Sequence, residues 1–521
     1  MVCGRVTIIA PWAAFLPKKV LRASYPRRSG VVSPVGAETR QEAAQTPVEK
    51  SVICGELPIR LEKAALRYER SKEERVMSRF SRLHFLGTAA TTVVAGPLGL
   101  SGFVERPNAM SGIVAQTVSD PTSIRSFQVN FSDADLDDLR KRIKATRWPE
   151  RETVNDGSQG VPLEMLQGLA AYWATGYDWR KCEAKLNALP MFTTTIDGLD
   201  IQFIHVKSKH ANALPLIVTH GWPGSIIEQL KIIEPLTNPT AHGGSASDAF
   251  HIVIPSIPGY GFSGKPTSPD WGTDTTARAW AVLMQRLGYT DYVAQGGDLG
   301  SVVTTLMAKQ APPGLLGINT SLPATVPPAI AKSLTCGDPA PAGLSPDEKQ
   351  AYEQLQLLYG KQFAYAAFMH TRPQTLYGLA DSPVGLAGWL LDHGDGWGQP
   401  AATVVSAVAG HTVDGHTAGA LTRDDVLDNI TLYWLTNTGV SAARSYWLNK
   451  TSPFNAANVS LPTAAIVFPG EIYLAPRSWT ELAFHKLIYY NRASAGGHFA
   501  AWEQPQVFSE EVRAGFRPLR K

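Results

Sequence analysis

The stretch Gly296-Gly297-Asp298-Leu299-Gly300 decides the fold that the sequence predicts. It follows a short apolar run, Tyr292–Ala294, that predicts a strand, and it precedes a helical pattern over Ser301–Lys309. Glycines at its first and last positions permit a tight strand-to-helix turn, which exposes the side chain in its middle. We therefore expect the carboxylate of Asp298 to lie at the end of a buried strand.

Around this turn, apolar strand runs alternate with helical patterns. Such alternation is typical of an α/β fold whose mostly parallel sheet is flanked by helices. Residues 325–450 interrupt it with helical patterns alone, which predicts a helical insertion over the carboxyl ends of the strands, where such folds place their sites. The predicted strands are Leu214–Thr219, Phe250–Ile254, Tyr292–Ala294, Leu315–Asn319, Ala464–Phe468 and Leu487–Tyr490, and the predicted helices are Thr275–Leu287 and Ser301–Lys309.

A helical segment precedes the alternating region. Ser132 is a good N-cap for a helix that ends near Ile143, and further helical patterns cover Leu163–Ala174 and Trp179–Leu189. The dipeptide Asp197-Gly198, between two apolar runs, predicts a tight β-hairpin. The predicted organisation is a leader at 1–120, an N-terminal helical segment at 121–195, a core at 196–324 and 451–521, and the insertion at 325–450.

Charge is unevenly distributed along the chain. The 48 basic and 45 acidic residues give a net charge of 48 − 45 = +3. Residues 1–82 hold 16 basic and 8 acidic residues, so the remainder holds 32 and 37 and has a net charge of −5. A slightly acidic body argues against a nucleic-acid partner. The four cysteines lie far apart and form neither a disulfide scaffold nor a zinc pattern, which leaves the redox compartment open.

The leader contains a signal-like segment at residues 77–104. Two arginines precede a weakly apolar stretch at Phe85–Val104, as in an export signal, and the segment resembles a twin-arginine signal except that Leu83 replaces the second arginine. The stretch is near the ~20 residues that span a bilayer, so a transmembrane anchor is the alternative, although no stable membrane insertion is expected. We predict translation from Met77 and export or secretion if the signal acts, and a cytoplasmic protein otherwise.

The carboxylate of Asp298 limits the chemistry of the turn. A carboxylate attacks amides and esters poorly, but it can displace a leaving group at a saturated carbon and form an alkyl ester. The turn has the form of the nucleophile elbow of α/β-hydrolases, and the positive end of the following helix helps to keep the carboxylate ionised. Epoxides or haloalkanes are the predicted substrates. The alternative is that Asp298 only caps the helix.

A second motif, His220-Gly221-Trp222-Pro223-Gly224-Ser225, directly follows the strand Leu214–Thr219. A loop at this place can aim the backbone N–H of Trp222 toward the nucleophile. Together with the N–H of Leu299 it would form an oxyanion hole for the tetrahedral intermediate of ester hydrolysis. The alternative is an ordinary turn between a strand and a helix.

A histidine and an orienting acid are expected after the insertion. His498 lies in the loop Gly496-Gly497-His498-Phe499 after the last strand run, in the chain order nucleophile, acid, histidine of α/β-hydrolases. Glu471 begins the loop after an apolar strand, 498 − 471 = 27 residues before the histidine. Glu481, expected on a solvated helix, and Glu503, expected in a loop, are the rival acids.

His411, Asp414 and His416 could suggest a metal site. Their spacing matches no standard site, and a place in the helical insertion explains them better. Neither a metal nor a cofactor is therefore predicted.

Together these motifs resemble the microsomal-type epoxide hydrolases and their fungal and bacterial relatives. The resemblance covers about residues 124–515. It implies an α/β-hydrolase fold with a helical lid and an N-terminal meander, and it implies conversion of a small-molecule epoxide and water to a vicinal diol. The stretches that carry it are the Trp222, Asp298 and His498 motifs, Thr371-Arg372-Pro373-Gln374-Thr375, Asp381-Ser382-Pro383-Val384-Gly385-Leu386, and the region from Arg147-Trp148-Pro149 to His205.

The resemblance also assigns two lid tyrosines that hydrogen-bond the epoxide oxygen. Tyr365 and Tyr446 match those positions. Ring opening develops alkoxide charge, and a phenol can donate to it. The alternative is that both rings only fill the core of the lid, as Tyr352, Tyr359 and Tyr377 could.

Two other functions stay open on the sequence. A haloalkane dehalogenase also uses an aspartate nucleophile, but it usually has a tryptophan directly after it, where this chain has Leu299. A ligand-binding protein of the same fold that has lost catalysis is the second, and the presence of Asp298, Glu471 and His498 argues against it. The sequence does not decide between a monomer and a homodimer.

Overall fold

The computed structural model describes residues 120–520 except 121, 450–453 and 455–456. The signal-like segment at 77–104, the proposed start at Met77 and nearly all of the leader lie outside the described residues. Within the described ranges, no helix combines the length and the hydropathy needed to cross a membrane.

A nine-stranded sheet forms the centre of the described chain, in the strand order β1-β2-β3-β5-β4-β6-β7-β8-β9. The pairs β1–β2, β2–β3 and β3–β5 are antiparallel, and every other pair is parallel. The strands are β1 Arg125–Ser126, β2 Met191–Ile196, β3 Leu199–Val206, β4 Leu214–Thr219, β5 Phe250–Pro255, β6 Tyr292–Gly296, β7 Leu315–Thr320, β8 Val459–Val467 and β9 Phe484–Arg492.

The central strands are continuous apolar runs because helices cover both of their faces. All five residues of β6 are buried, and so are the last four residues of β4, β5 and β7. The β2–β3 hairpin turns at Asp197 and Gly198, whose φ values of 49° and 78° are those that a two-residue hairpin of this kind requires. The predicted hairpin is confirmed.

Three helices of the described chain precede strand β2, and further helices connect the later strands or follow the last one. Ser132 caps the first of them: its side chain accepts from the N–H of Asp135, whose carboxylate accepts in return from the N–H of Ser132. The helices outside the insertion are α1 Asp133–Lys144, α2 Leu163–Thr175, α3 Trp179–Asn187, α4 Ile233–Thr237, α5 Thr273–Arg286, α6 Leu299–Gln310, α15 Arg477–Ala483, α16 Ala500–Glu503 and α17 Pro505–Phe516, with a 3₁₀ segment at Ile226–Ile232.

The insertion between β7 and β8 is helical, as predicted. Its first helices pack on a second apolar core, which includes Leu322, Tyr352 and Tyr473 and is separate from the main core of the sheet. The helices are α7 Pro328–Cys336, α8 Pro346–Leu357, α9 Ala364–Thr371, α10 Gly378–Asp381, α11 Pro383–Leu391, α12 Ala402–Ala409, α13 Arg423–Leu435 and α14 Gly439–Leu448, with a π-helical turn at Leu358–Gln362.

The predicted α/β class is confirmed, and the differences lie at the ends of elements. Strand β8 begins at Val459, not at 464, although it contains Pro462, which cannot donate to a ladder. Its pairing with β9 shifts register between Val459 and Pro462, and its pairing with β7 begins only at Thr463. Strands β1 and β2 fall within the predicted N-terminal segment but belong to the sheet, and the predicted domain boundaries stay predictions.

Candidate active site

Asp298 occupies a strained turn between β6 and α6. Its backbone has φ 50° and ψ −126°, a conformation that a residue with a Cβ adopts only at a cost of about 1–3 kcal/mol. The flanking glycines permit it: a Cβ on Gly296 would lie 2.1 Å from the carbonyl oxygen of Gly300, and one on Gly300 would lie 2.1 Å from that of Thr219. The turn therefore fixes Asp298 at the carboxyl end of the sheet, with its side chain 17% exposed.

The loop after β4 supplies donors to this carboxylate. The N–H of Trp222 donates to Oδ1 of Asp298 at 2.9 Å, and the N–H of Leu299 also hydrogen-bonds the carboxylate. Gly221 allows the approach, since a Cβ there would lie 2.5 Å from the Cβ of Asp298. His220 holds the loop from beneath, where its Nε2 accepts from the N–H of Ile257 at 3.1 Å. Both predicted oxyanion donors thus point at Asp298.

His498 lies on the other side of the carboxylate. Its Nε2 is 3.5 Å from Oδ2 of Asp298, and its Nδ1 is 2.6 Å from Oε1 of Glu471. The side chains of His498 and Glu471 are each 2% exposed. The two loops are joined by backbone pairing, because the N–H of Gly470 donates to the carbonyl of Gly496 at 3.0 Å. The structure thus brings Asp298, His498 and Glu471 together at the carboxyl ends of the strands.

The two rival acids lie elsewhere. Glu481 is half exposed on α15 and forms an ion pair with Arg477 at 2.7 Å. Glu503 is buried near the histidine loop, but its Oε1 accepts from the N–H of Gly497 at 2.7 Å, and among the described residues its carboxylate makes no hydrogen bond to the His498 ring. Burial raises the pKa of Glu503 to about 7. Of the three acids, Glu471 is the one whose carboxylate lies within hydrogen-bond distance of the His498 ring.

The insertion places a cluster of aromatic rings above the carboxylate. The Tyr365 ring stacks on that of Trp222 at 4.8 Å between centroids, and the Tyr446 ring meets Trp222 edge-on at 5.9 Å. The two tyrosine rings are 6.2 Å apart. By contrast, Tyr377 is 66% exposed, and the hydroxyl of Tyr352 donates to the carbonyl of Asp338 far from the site. The structure thus packs the two predicted tyrosines on Trp222, the residue whose backbone N–H donates to Asp298.

The electrostatics of the site follow from burial and from these contacts. Burial raises the pKa of Asp298, while His498 and the N–H groups of Trp222 and Leu299 act in the opposite direction. Burial alone would lower the pKa of His498, but the carboxylates of Glu471 and Asp298 raise it to about 9. Burial also raises the pKa of Tyr365 and of Tyr446 well above the usual value for a phenol. Both tyrosines therefore stay protonated as donors.

One loop of the insertion is bound to the loop that carries the orienting acid. The N–H of Gly396 donates to the carbonyl of Gly470 at 3.0 Å. A Cβ on Gly396 would lie 2.5 Å from the carbonyl oxygen of Glu471, and one on Gly470 would meet the Trp397 ring at 2.5 Å. The insertion and the sheet therefore touch within one residue of Glu471.

Among the described residues, the donor atoms of Asp298, His393 and His498 lie within 4.8 Å of one another, close enough to be considered for a metal ion. His411, Asp414 and His416, whose spacing could suggest a metal site, are not part of this cluster. The His416 ring stacks on that of Trp397 at 4.9 Å between centroids, and Nδ1 of His411 hydrogen-bonds the carbonyl of Ala409. In the cluster, His498 faces Asp298 with one ring nitrogen and Glu471 with the other. That is the arrangement of a base beside a nucleophile.

Comparison with known proteins agrees with this geometry. A family model described as "Epoxide hydrolase N terminus" matches residues 124–229, and one described as "alpha/beta hydrolase fold" matches residues 215–352. The chain is 49% identical to a putative epoxide hydrolase of Stigmatella aurantiaca over 398 residues, which are 76% of this chain and 86% of that protein. The chain belongs to the microsomal-type epoxide hydrolase family. It is an epoxide hydrolase, a hydrolase that acts on ether bonds.

More distant relatives extend the match across kingdoms. This epoxide hydrolase is 33% identical to epoxide hydrolase 1 of Sus scrofa over 414 residues, which are 76% of this chain and 89% of that protein. The solved structures of juvenile hormone epoxide hydrolase from Bombyx mori and of Aspergillus niger epoxide hydrolase superpose with TM-scores of 0.66 and 0.62. They are 28% and 29% identical to it, and they match 77% and 76% of this chain and 96% of each structure.

Three residues of this epoxide hydrolase site were not singled out by the sequence. His393, in the insertion, packs against His498 with 4.5 Å between the centroids of the two tilted rings and is 2% exposed. Glu228 and Gln295 line a cavity beside Asp298. A carboxylate inside the apolar run around Ile226–Ile232, and a glutamine at the end of a wholly buried strand, were the signals that could have found them.

Proposed function

We propose that this enzyme converts an epoxide to a vicinal diol through a hydroxyalkyl ester on Asp298. The observation that carries the proposal is the position of one carboxylate, 3.5 Å from a histidine held by a buried glutamate and beneath two phenols. A nucleophile, a base and donors for the leaving oxygen thus converge on one small space.

In the first half-reaction an oxygen of Asp298 attacks the less hindered epoxide carbon. The C–O bond of the ring breaks, and its electron pair goes to the ring oxygen, to which Tyr365 and Tyr446 donate hydrogen bonds. The raised pKa of both phenols means that they donate without losing their protons. The alkoxide takes up one proton, which comes in net from the imidazolium of His498.

In the second half-reaction water hydrolyses the ester. The water oxygen bonds to Cγ of Asp298 and its proton passes to Nε2 of His498, which Glu471 orients. The N–H groups of Trp222 and Leu299 stabilise the charged oxygen of the tetrahedral intermediate. The bond from Cγ to the alkyl oxygen then breaks, and the alkyl oxygen takes the second proton of the water from the new carboxyl group of Asp298. The diol leaves with Asp298 ionised and His498 protonated, as at the start.

The pKa of His498 fits both roles. While Asp298 is ionised, it contributes to the pKa of about 9, so that the imidazole is charged at neutral pH. Esterification removes the charge of Asp298, and the pKa of His498 falls. The histidine therefore becomes a base at the stage at which a base is needed.

The helical insertion is proposed to act as the lid of this site. Tyr365 and Tyr446 both come from it, and its loop at Gly396 is hydrogen-bonded to the acid loop. A lid of this kind excludes bulk water from the developing charges and strengthens the hydrogen bonds to them.

A single turnover in ¹⁸O-labelled water tests the covalent route. With enzyme in excess over styrene oxide, the diol should be unlabelled, and mass spectrometry of the peptide that contains Asp298 should show one ¹⁸O in its carboxylate. Label in the diol and none in the peptide would mean direct attack by water on the epoxide. A heat-denatured sample carried through the same steps controls for exchange.

We also propose that residues 77–104 direct export, as the sequence predicts. N-terminal sequencing of the protein from its native cells tests this: a first residue downstream of Val104 supports export, and an intact N-terminus upstream of Met77 contradicts both the signal and the start site.

A further inference from the structure

A cavity of about 20 Å³ lies against the carboxylate of Asp298. Its walls include Asp298 and His498 but neither of the two tyrosines. The 3₁₀ segment contributes Glu228 and Gln229, β6 contributes Gln295, and α16 contributes Trp502. A cavity needs a volume of roughly 10–15 Å³ to hold one water molecule. The cavity therefore has room for water but for no epoxide.

Four polar atoms of these walls lack partners within the described part of the chain. Among the described residues, both amide atoms of Gln295, Oε1 of Gln229 and Nε1 of Trp502 are buried without a hydrogen bond. Buried polar groups in folded proteins are almost always paired, with protein or with ordered water. Four unpaired atoms around one small cavity therefore point to water inside it.

A buried carboxylate completes the walls. Oε1 of Glu228 accepts from Nε2 of Gln229 at 2.8 Å and from the N–H of Gly221 at 3.3 Å. Both bonds end on Oε1, while Oε2 lies against Gly224 and accepts no hydrogen bond from the described residues, so the carboxylate keeps capacity to accept from a water beside it. Burial raises the pKa of Glu228 to about 7.

We infer that this cavity holds the water that cleaves the ester, and that Gln295 and Glu228 position it for attack on Cγ of Asp298. The inference rests on the proposed covalent route. The step balances without either residue: the water oxygen bonds to Cγ, its proton passes to Nε2 of His498, and the alkyl oxygen leaves. Gln295 and Glu228 are positioning residues, and the epoxide and the water reach Asp298 from different sides.

Two conservative variants separate the half-reactions. Gln295→Met keeps the side-chain volume and removes both polar atoms, and Glu228→Gln keeps the shape and removes the charge. Each should slow hydrolysis of the ester by about 10-fold or more, because misplacing a reactant by ~1 Å can cost ~100-fold, while ester formation stays within about 2-fold. Rapid mixing with trans-stilbene oxide, followed by tryptophan fluorescence and by intact mass, measures both rates.

Thr304→Val is the matched control. The Thr304 hydroxyl is also buried without a partner, on the helix that follows Asp298, but it does not line the cavity. This variant should leave the ratio of the two rates unchanged. Circular dichroism and the melting temperature check that Gln295→Met, Glu228→Gln and Thr304→Val fold as the wild type does.

The outcomes distinguish the inference from the mechanism on which it rests. If His498→Gln accumulates the ester and Gln295→Met and Glu228→Gln do not, the water site is wrong and the covalent route stands. If no variant accumulates the ester, the covalent route itself fails. Should Gln295→Met fold poorly, a high-resolution crystal structure of the wild-type enzyme decides: a cavity without an ordered water near Gln295 overturns the inference.

Discussion

The two halves of the active site are held in different ways. The sheet half consists of Trp222, Asp298, Leu299, Glu471 and His498, which lie in turns at the carboxyl ends of strands and are fixed by backbone hydrogen bonds and close glycine contacts. The insertion half consists of Tyr365, His393 and Tyr446, whose rings are held mainly by packing on Trp222 and on one another. Under the proposed mechanism, bond making falls to the half that backbone hydrogen bonds hold, and stabilisation of the leaving oxygen falls to the half that packing holds.

The largest effect is expected from the sheet half at Asp298. Asp298→Asn removes the attacking charge, and we expect turnover to fall by about 10⁴-fold or more, as for loss of other covalent nucleophiles. Diol formation by chromatography measures this, and circular dichroism checks the fold. Asp274→Asn, at an exposed position on α5, is the matched control and should stay within about 2-fold. A rate for Asp298→Asn near that of the wild type would mean that Asp298 is not the nucleophile.

His498→Gln should separate the two half-reactions. Loss of a general base costs ~10²–10⁴ in rate, so ester hydrolysis should fall by about 10³-fold while the ester still forms. Intact mass spectrometry should show the enzyme heavier by one substrate. His485→Gln, at an exposed histidine of β9, is the control. An unmodified mass together with lost turnover would mean that His498 acts before the ester exists.

The insertion half is tested by the tyrosines. Tyr365→Phe and Tyr446→Phe each remove one donor to the developing alkoxide, and each should slow ester formation by about 100-fold, the cost of losing one such donor. Rapid-mixing fluorescence measures the rate. Tyr377→Phe, at an exposed position of the same insertion, should change nothing. If either active-site variant slows only ester hydrolysis, that phenol serves the other half-reaction.

The pH dependence of the free energy of unfolding tests the burial of Glu503, which lies beside the sheet half. Glu503 has a folded pKa of about 7 against 4.5 in the unfolded chain, so the folded state binds the extra proton, and stability is lost as pH rises from 4.5 to 7. Glu503→Gln should remove this loss, so its free energy of unfolding should exceed that of the wild type by about 2 kcal/mol at pH 8 and equal it at pH 4. Urea unfolding at the two values measures it, with the exposed Glu481→Gln as control. If the free energy of unfolding changed equally with pH in both variants, the pKa of Glu503 would not be raised in the folded state.

The smallest effect is expected outside both halves. Ser132→Ala removes the N-cap of α1 and should lower the free energy of unfolding by about 1 kcal/mol. Turnover should be unchanged, since α1 contributes no residue to the site. Ser123→Ala, whose hydroxyl makes only a local turn contact, serves as the control. A loss of activity without loss of stability would couple the N-terminal helices to the site.

The sheet half was largely predictable from the sequence because strand periodicity, glycine spacing and chain order all act locally. The strand before Asp298, the glycines around it and the loop of His498 each carry their own signal. Glu471 was separable from Glu481 because it follows an apolar strand run directly, and the structure agrees.

The insertion half was predictable only through resemblance. Helical patterns located the insertion, but ring packing between helices is a long-range property that no local pattern encodes. His393, Glu228 and Gln295 were missed for the same reason: each becomes notable only once its neighbours are known. The start of β8 was missed because Pro462 breaks the strand pattern where register shifts accommodate it.

The contact of Gly396 and Trp397 with the loop of Glu471 has a consequence for any movement of the insertion. A displacement of this loop would pull on the residue next to Glu471. His393, three residues before Gly396, packs against both the Tyr365 ring and the His498 ring. A shift of this one loop would therefore disturb the acid, the histidine and one of the two phenols at the same time.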